Sequence, residues 1–192
     1  MGETIGAVGN LEGASAPKVI DAGGLVVTPG FVDIHSHTDM ILAMPRERQR
    51  ELMRGRLLQG ITTELVGNCG LGVFPVTGES RDPVRRFHQF LIPDGARFAW
   101  QTTGEYLSYL EDHGVPLNVA TLVPHNPIRL QIMGATDRAP DTRELAGMRR
   151  EVKRALESGA WGLSFGLIYF PGRFTRTEEL VELSRPVGER GG

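Results

Sequence analysis

The hydrophobic pattern of the chain alternates between two rhythms. Short apolar runs occupy residues 24–34 (GLVVTPGFVDI), 61–66 (ITTELV), 117–123 (LNVATLV) and 161–167 (WGLSFGL). Each is too short for a buried helix and reads as a strand. Between them the apolar positions recur at helical spacing. A helix is predicted over 46–59, with Pro45 near its start and Gly60 in the stop position. Thr102 and Glu105 stand at capping-box spacing, Tyr106, Leu107 and Leu110 supply an apolar face, and Gly114 ends the helix. Leu145, Met148, Val152 and Leu156 mark the clearest helix, closed by Gly159. Thr175 and Glu178 predict a further capping box and a helix running to about Ser184.

Strands alternating with helices imply βαβ units and a parallel sheet. Four units are visible, whereas a closed eight-stranded barrel takes about 250 residues. A small open sheet is the alternative, but no glycine-rich phosphate fingerprint follows the first strand. IGAVGN and KVIDAGG, before residue 24, read as the tail of a β hairpin. The chain is therefore expected to be truncated at its C-terminus and at its N-terminus. Residues 71–101 are too long for a plain connection and carry Phe74, Phe87, Phe90, Phe98 and Trp100. A lid or specificity element and a packed surface excursion are both open readings of that stretch.

Composition narrows the classes. In 192 residues, 21 basic side chains stand against 23 acidic ones, for a net charge of −2, which gives no electrostatic footprint for nucleic acid. No apolar run approaches a membrane span, and MGETIGAVGN lacks the features of a signal peptide. The single cysteine has no internal disulfide partner. These features predict a soluble, cytoplasmic protein with no nucleic-acid or membrane partner; oligomeric state is left open.

The chemistry concentrates at strand ends. His35 and His37 flank Ser36 at the end of the first strand, so the two imidazoles point one way and the serine the other. Two neutral imidazoles side by side make half of a divalent metal site. Surface histidines in a loop are the alternative reading of an HxH triplet. Asp33 shares their face and is expected to accept a hydrogen bond from one ring. Cys69 lies in GNCG directly after the second strand. A solitary cysteine is ordinarily inert core, but a thiolate beside two imidazoles suits zinc. His125 follows the third strand and is expected to orient a ligand or cap the turn before Pro127. His88 and His113 carry no evident chemistry.

PGFVDIHSHTD resembles the strand-one signature of the amidohydrolase superfamily, metal-dependent hydrolases on a distorted TIM barrel. QGITTELVGNCG, LNVATLVPHNPIRLQIMG and GAWGLSFGLIYFPG together resemble one branch, the N-acyl-D-amino-acid deacylases, over about residues 26–182. The resemblance implies an α/β fold: a partial TIM-type (β/α)8 barrel of about four βα units over 28–192, preceded by a remnant of a small β domain over 1–27. It implies His35, His37 and Cys69 as zinc ligands, with one or two zinc ions in a complete enzyme. Many other amidohydrolases bridge two metals with a carboxylated lysine from strand four. Here the only lysines are Lys18 and Lys153, outside the strand ends, which favours the cysteine branch.

The resemblance also implies two further zinc-binding histidines and a general-base aspartate on later strands, which this sequence does not contain, so no catalytic residue is assigned within it. The reaction implied is hydrolysis of an N-acyl-D-amino acid to a carboxylate and a D-amino acid. A cyclic-amide hydrolase and a non-catalytic half-barrel remnant are the alternatives. The 192-residue chain alone is expected to be inactive or nearly so, with an exposed sheet edge that invites pairing or aggregation.

Overall fold

A computed structural model describes residues 4–191. β1 (Phe31–Asp33), β2 (Ile61–Val66), β3 (Asn118–Pro124) and β4 (Gly162–Ser164) form one sheet in chain order. Every neighbouring pair is parallel, so each crossover must carry the chain back along the sheet. Helices do this. α1 (Asp39–Leu42) and α2 (Arg46–Leu58) join β1 to β2, and α3 (Arg81–Phe87) and α4 (Thr103–His113) join β2 to β3. α5 (His125–Met133) and α6 (Thr142–Glu157) join β3 to β4, and α7 (Thr177–Gly188) follows β4.

The ends of these elements are set by local chemistry. α2 begins after Pro45 and stops before Gly60, whose φ of 82° turns the chain into β2. The predicted Thr102–Glu105 capping box is formed, and a second one, Asp141 with Glu144, opens α6. The box expected at Thr175 and Glu178 is not formed. α7 starts one residue later, with Arg176 as its N-cap and no side-chain cap bond. The Thr175 hydroxyl is instead approached by Arg129 at 3.4 Å.

Two of the strands are shorter than their hydrophobic runs. β1 keeps only the last part of 24–34, and Val26 and Val27 are exposed. A strand needs a neighbour to pair with, and pairing to β2 begins only at Phe31. β4 likewise ends at Ser164, and residues 165–174 turn through a loop that closes in a 3-10 turn at Gly172–Phe174.

Two apolar clusters hold the helices to the sheet. In one, Phe74, Trp100 and Tyr106 pack with Met40, Leu42 and Met53 under α1, α2 and α4. In the other, Met148, Val152 and Leu156 of α6 meet Leu183 of α7 and Val123 of β3. Much of the segment 71–101 packs against the first of these clusters. Phe74 and Trp100 are buried, the Trp100 indole N–H donates to the Val73 carbonyl at 2.7 Å, and of the segment's aromatic side chains only Phe90 stands well out. Among the described residues, no helix is long and apolar enough to cross a membrane.

Candidate metal centre

The backbone bends at Ile34 and His35 after β1 but stays tied to β2, because the Ser36 N–H donates to the Leu65 carbonyl at 3.1 Å. Ser36 therefore turns inward and is buried, while His35 and His37 stand on the opposite side. Glu64 of β2, fully buried, anchors this turn. It accepts from the Ser36 hydroxyl at 3.1 Å, from the Thr38 hydroxyl, and from Arg56 at 2.9 Å. The pairing gives the buried carboxylate partners for both oxygens.

Asp33 does not reach a histidine ring. Its carboxylate accepts the backbone N–H of His35 at 3.0 Å and Arg56 at 2.7 Å. The first of these holds it below its ordinary pKa, with Arg56 adding to the effect against the cost of burial. A short aspartate bonding the N–H two residues on is the local turn that its side chain favours. The sequence-based expectation for Asp33 is thus corrected.

β2 leads into a tight turn, Gly67-Asn68-Cys69-Gly70. Gly67 has φ 76° and ψ 24°, and a Cβ there would lie 2.3 Å from the Leu122 carbonyl oxygen, so only glycine fits. Cys69 itself has φ 56° and ψ 23°, a left-handed conformation uncommon for any residue other than glycine. The Asn68 amide holds the turn by donating to the carbonyls of Leu65 at 2.8 Å and Ser36 at 3.3 Å.

These two turns bring the predicted donors together. One ligand atom each from His35, His37 and Cys69 lies within 4.8 Å of the others, and the Cys69 Sγ is 3.2 Å from the His35 Nε2. The imidazole rings stand edge-on, with centroids 5.7 Å apart. Ligands of a tetrahedral ion with bonds of about 2.0–2.3 Å sit roughly 3.5 Å apart, so small rotations suffice to close the set on one ion. Burial lowers the pKa of His37, and the neighbouring His35 lowers it further, which favours the neutral, lone-pair form that ligation requires. The His37 Nδ1 is buried without a hydrogen-bond partner among the described residues. Two imidazole nitrogens and one thiolate are a donor set that suits zinc.

A family model for amidohydrolases matches residues 18–185. The chain belongs to the amidohydrolase family. It is 35% identical over 191 residues to a D-aminoacylase of Alcaligenes xylosoxydans xylosoxydans, an alignment spanning 100% of this chain and 38% of that protein. A solved D-aminoacylase with a binuclear metal centre superposes with a TM-score of 0.83 at 34% identity, covering 97% of this chain and 37% of that one. An N-acyl-D-glutamate deacylase from Bordetella bronchiseptica was solved with zinc and a phosphonate that mimics the tetrahedral intermediate. It superposes with a TM-score of 0.81 at 33% identity, over 96% of this chain and 37% of its own. The chain thus spans a little over a third of the length of these relatives, and its four βα units are a partial TIM-type barrel.

Within this amidohydrolase chain the remaining histidines go elsewhere. His125, at the end of β3, neither joins the donor set nor caps a turn. It is fully buried, its Nε2–H donates to Glu179 of α7 at 2.8 Å, and Glu179 also accepts from Arg129 at 2.6 Å. Burial depresses the His125 pKa, against the pull of Glu179. His113 stacks on Tyr109 at 4.1 Å at the end of α4. Lys153 faces Glu157 on α6, and β4 contributes no lysine.

His88 was not marked out by its sequence context, yet it is buried beneath the site. Its Nδ1–H donates to the Gly72 carbonyl at 3.1 Å, its Nε2 has no partner among the described residues, and burial pushes its pKa down to about 4. Asp39 is buried beside the same backbone. Burial raises its pKa to about 7, outweighing the nearby N–H groups of Asp39, Met40 and Val73, none of which makes a full hydrogen bond to it. A cleft of about 540 Å³ opens beside His35 and His37, walled by Ile41, Leu52 and Leu91 and by Arg48 and Arg56.

Proposed function

We propose that this chain carries the metal-holding part of a zinc-dependent hydrolase that cleaves N-acyl-D-amino acids to a carboxylate and a free D-amino acid. The observation that carries the reading is the convergence of His35, His37 and Cys69 from two adjacent strand ends. Relatives matched along the whole chain, rather than over one motif, favour linear N-acyl-D-amino acids over cyclic amides. When bound there, zinc supplies Lewis-acid polarisation of the amide carbonyl and acidification of water at neutral pH.

The chain's own residues contribute placement. Glu64, through Ser36 and Thr38, fixes the histidine-bearing turn, and the Gly67–Gly70 turn presents the Cys69 sulfur. The cleft beside the histidines offers apolar walls for an acyl or side-chain group. Among the described residues no further acid or histidine joins the three donors, so little or no activity is assigned to these 192 residues alone.

The test has two arms. Elemental analysis of the purified chain is expected to find zinc, and Cys69→Ala is expected to retain much less of it; a chain that takes up no zinc contradicts the metal assignment. Any release of amino acid from N-acetyl-D-methionine and N-acetyl-L-methionine by the zinc-loaded protein is then compared. Cleavage of both enantiomers at equal rates contradicts the D-specific assignment.

A further inference from the structure

The turn that carries Cys69 is held from outside its own strand. Ser164, the last residue of β4, pairs with Pro124 of β3, and its side chain reaches across to the β2 turn. The Gly70 N–H donates to the Ser164 Oγ at 2.9 Å, and the Ser164 hydroxyl in turn donates to the Gly67 carbonyl oxygen. In an ordinary four-residue turn the first carbonyl and the fourth N–H bond to each other. Here a single hydroxyl stands between them, using its one proton and one of its lone pairs. Cys69 is the third residue of that turn, in the left-handed conformation.

The backbone after Ser164 closes over the same turn. A Cβ on Gly166 would lie 1.8 Å from the Cys69 carbonyl oxygen, and one on Gly70 would lie 2.5 Å from the Gly166 nitrogen. Ser164, Gly67 and Gly70 are all buried, so water is poorly placed to replace the hydroxyl. β4 supplies no donor to the His35–His37–Cys69 set, yet it fixes the backbone from which the sulfur projects.

We propose that Ser164 is a positioning residue for Cys69, setting the direction of the thiolate and with it the affinity and the sulfur coordination of the bound metal. The proposal rests on the reading that His35, His37 and Cys69 hold a metal. Without the hydroxyl, the Gly67 carbonyl and the Gly70 N–H lose their shared partner in a buried place, and the strained Cys69 backbone is free to relax and swing its sulfur away. Supporting groups of this kind change metal affinity by about 10–100-fold when removed.

The experiment is a cobalt(II) titration of the 192-residue chain, reading the sulfur-to-cobalt charge-transfer band and the affinity, with circular dichroism to establish that each variant is folded. Ser164→Ala is expected to weaken binding by about 10–100-fold and to diminish the band, whereas Ser164→Thr, which keeps the hydroxyl, stays within about threefold of wild type. In a Cys69→Ala background, which retains only the imidazoles, adding Ser164→Ala is expected to change binding by less than about twofold, because the residue acts through the sulfur. A folded Ser164→Ala with wild-type band and affinity overturns the proposal. So does an equal loss in the Cys69→Ala background. If Ser164→Ala does not fold, Ser164→Thr decides, and loss of the band in folded Ser164→Thr overturns it. A wild-type chain that binds cobalt without a charge-transfer band, or not at all, instead overturns the underlying metal reading.

Discussion

Two histidine-bearing strand ends in this molecule have opposite fates. His35 and His37 follow β1, His125 follows β3, and all three leave parallel strands at the same, C-terminal end of the sheet. His125 is sealed: α7 brings Glu179 over it, and Arg129 completes a buried triad in which each charge has a partner. At β1 the acids are occupied elsewhere. Asp33 is turned to the His35 backbone and Arg56, and Glu64 is taken by Ser36, Thr38 and Arg56. The rings of His35 and His37 are thus left facing each other and a sulfur. A strand-end histidine is made available for ligation by what the neighbouring carboxylates are doing, and not by its position alone.

The largest effect expected from this contrast is on stability. Glu179→Ala strands Arg129 as an unpaired buried charge and is expected to cost about 3–5 kcal/mol in a urea or guanidinium unfolding curve, with the affinity of any folded protein for zinc unchanged. An effect below about 1 kcal/mol would mean that the triad is not the lock described.

A second pair of variants separates the buried groups under the donor site. The lowered pKa of His88 means that the unfolded chain takes up the proton first as pH falls. The stability that neutral His88 contributes is therefore present above about pH 6.5 and lost toward pH 4. For Asp39 the folded state holds the proton more tightly, so stability falls as pH rises from about 4 to about 7. The two slopes oppose each other in the wild type. Relative to it, Asp39→Asn is expected to gain about 4 kcal/mol between pH 4 and pH 7, and His88→Asn about 3 kcal/mol as pH falls from 6.5 to 4. Unfolding curves across that range check both signs.

Metal binding comes next in size. Cys69→Ala is expected to weaken zinc binding by at least about 100-fold, or about 2.7 kcal/mol, whereas His125→Asn leaves zinc affinity within a few-fold. The smallest effect is at Asp33. Its carboxylate grips backbone and a half-exposed arginine rather than a ring, so Asp33→Ala is expected to cost less than about 1 kcal/mol and to leave zinc affinity unchanged.

The sequence makes the skeleton legible where a local rule suffices. β2 is found over its predicted residues, the Thr102–Glu105 box is formed, and the helix over Leu145–Leu156 lies where its periodicity puts it. The grouping of His35, His37 and Cys69 follows from strand ends and alternation. The partners of the acids are not legible, because they depend on tertiary approach. Nothing near Glu179 in the chain points to His125, 54 residues away, and nothing near Ser164 points to Gly67 and Gly70. Asp39 stands in the HSHTD motif itself, but its burial comes from α4 and the 71–101 segment folding over it. The Thr175–Glu178 pattern does not form a cap either, and the Thr175 hydroxyl meets Arg129 from a distant part of the chain instead.

X-ray absorption at the zinc edge, on the chain loaded with one equivalent of metal, addresses the three-donor arrangement most directly. The arrangement predicts a first shell with one sulfur at about 2.3 Å and two imidazole nitrogens at about 2.0–2.1 Å, the sulfur vanishing in Cys69→Ala. A shell of nitrogen and oxygen alone in the wild-type chain would contradict it.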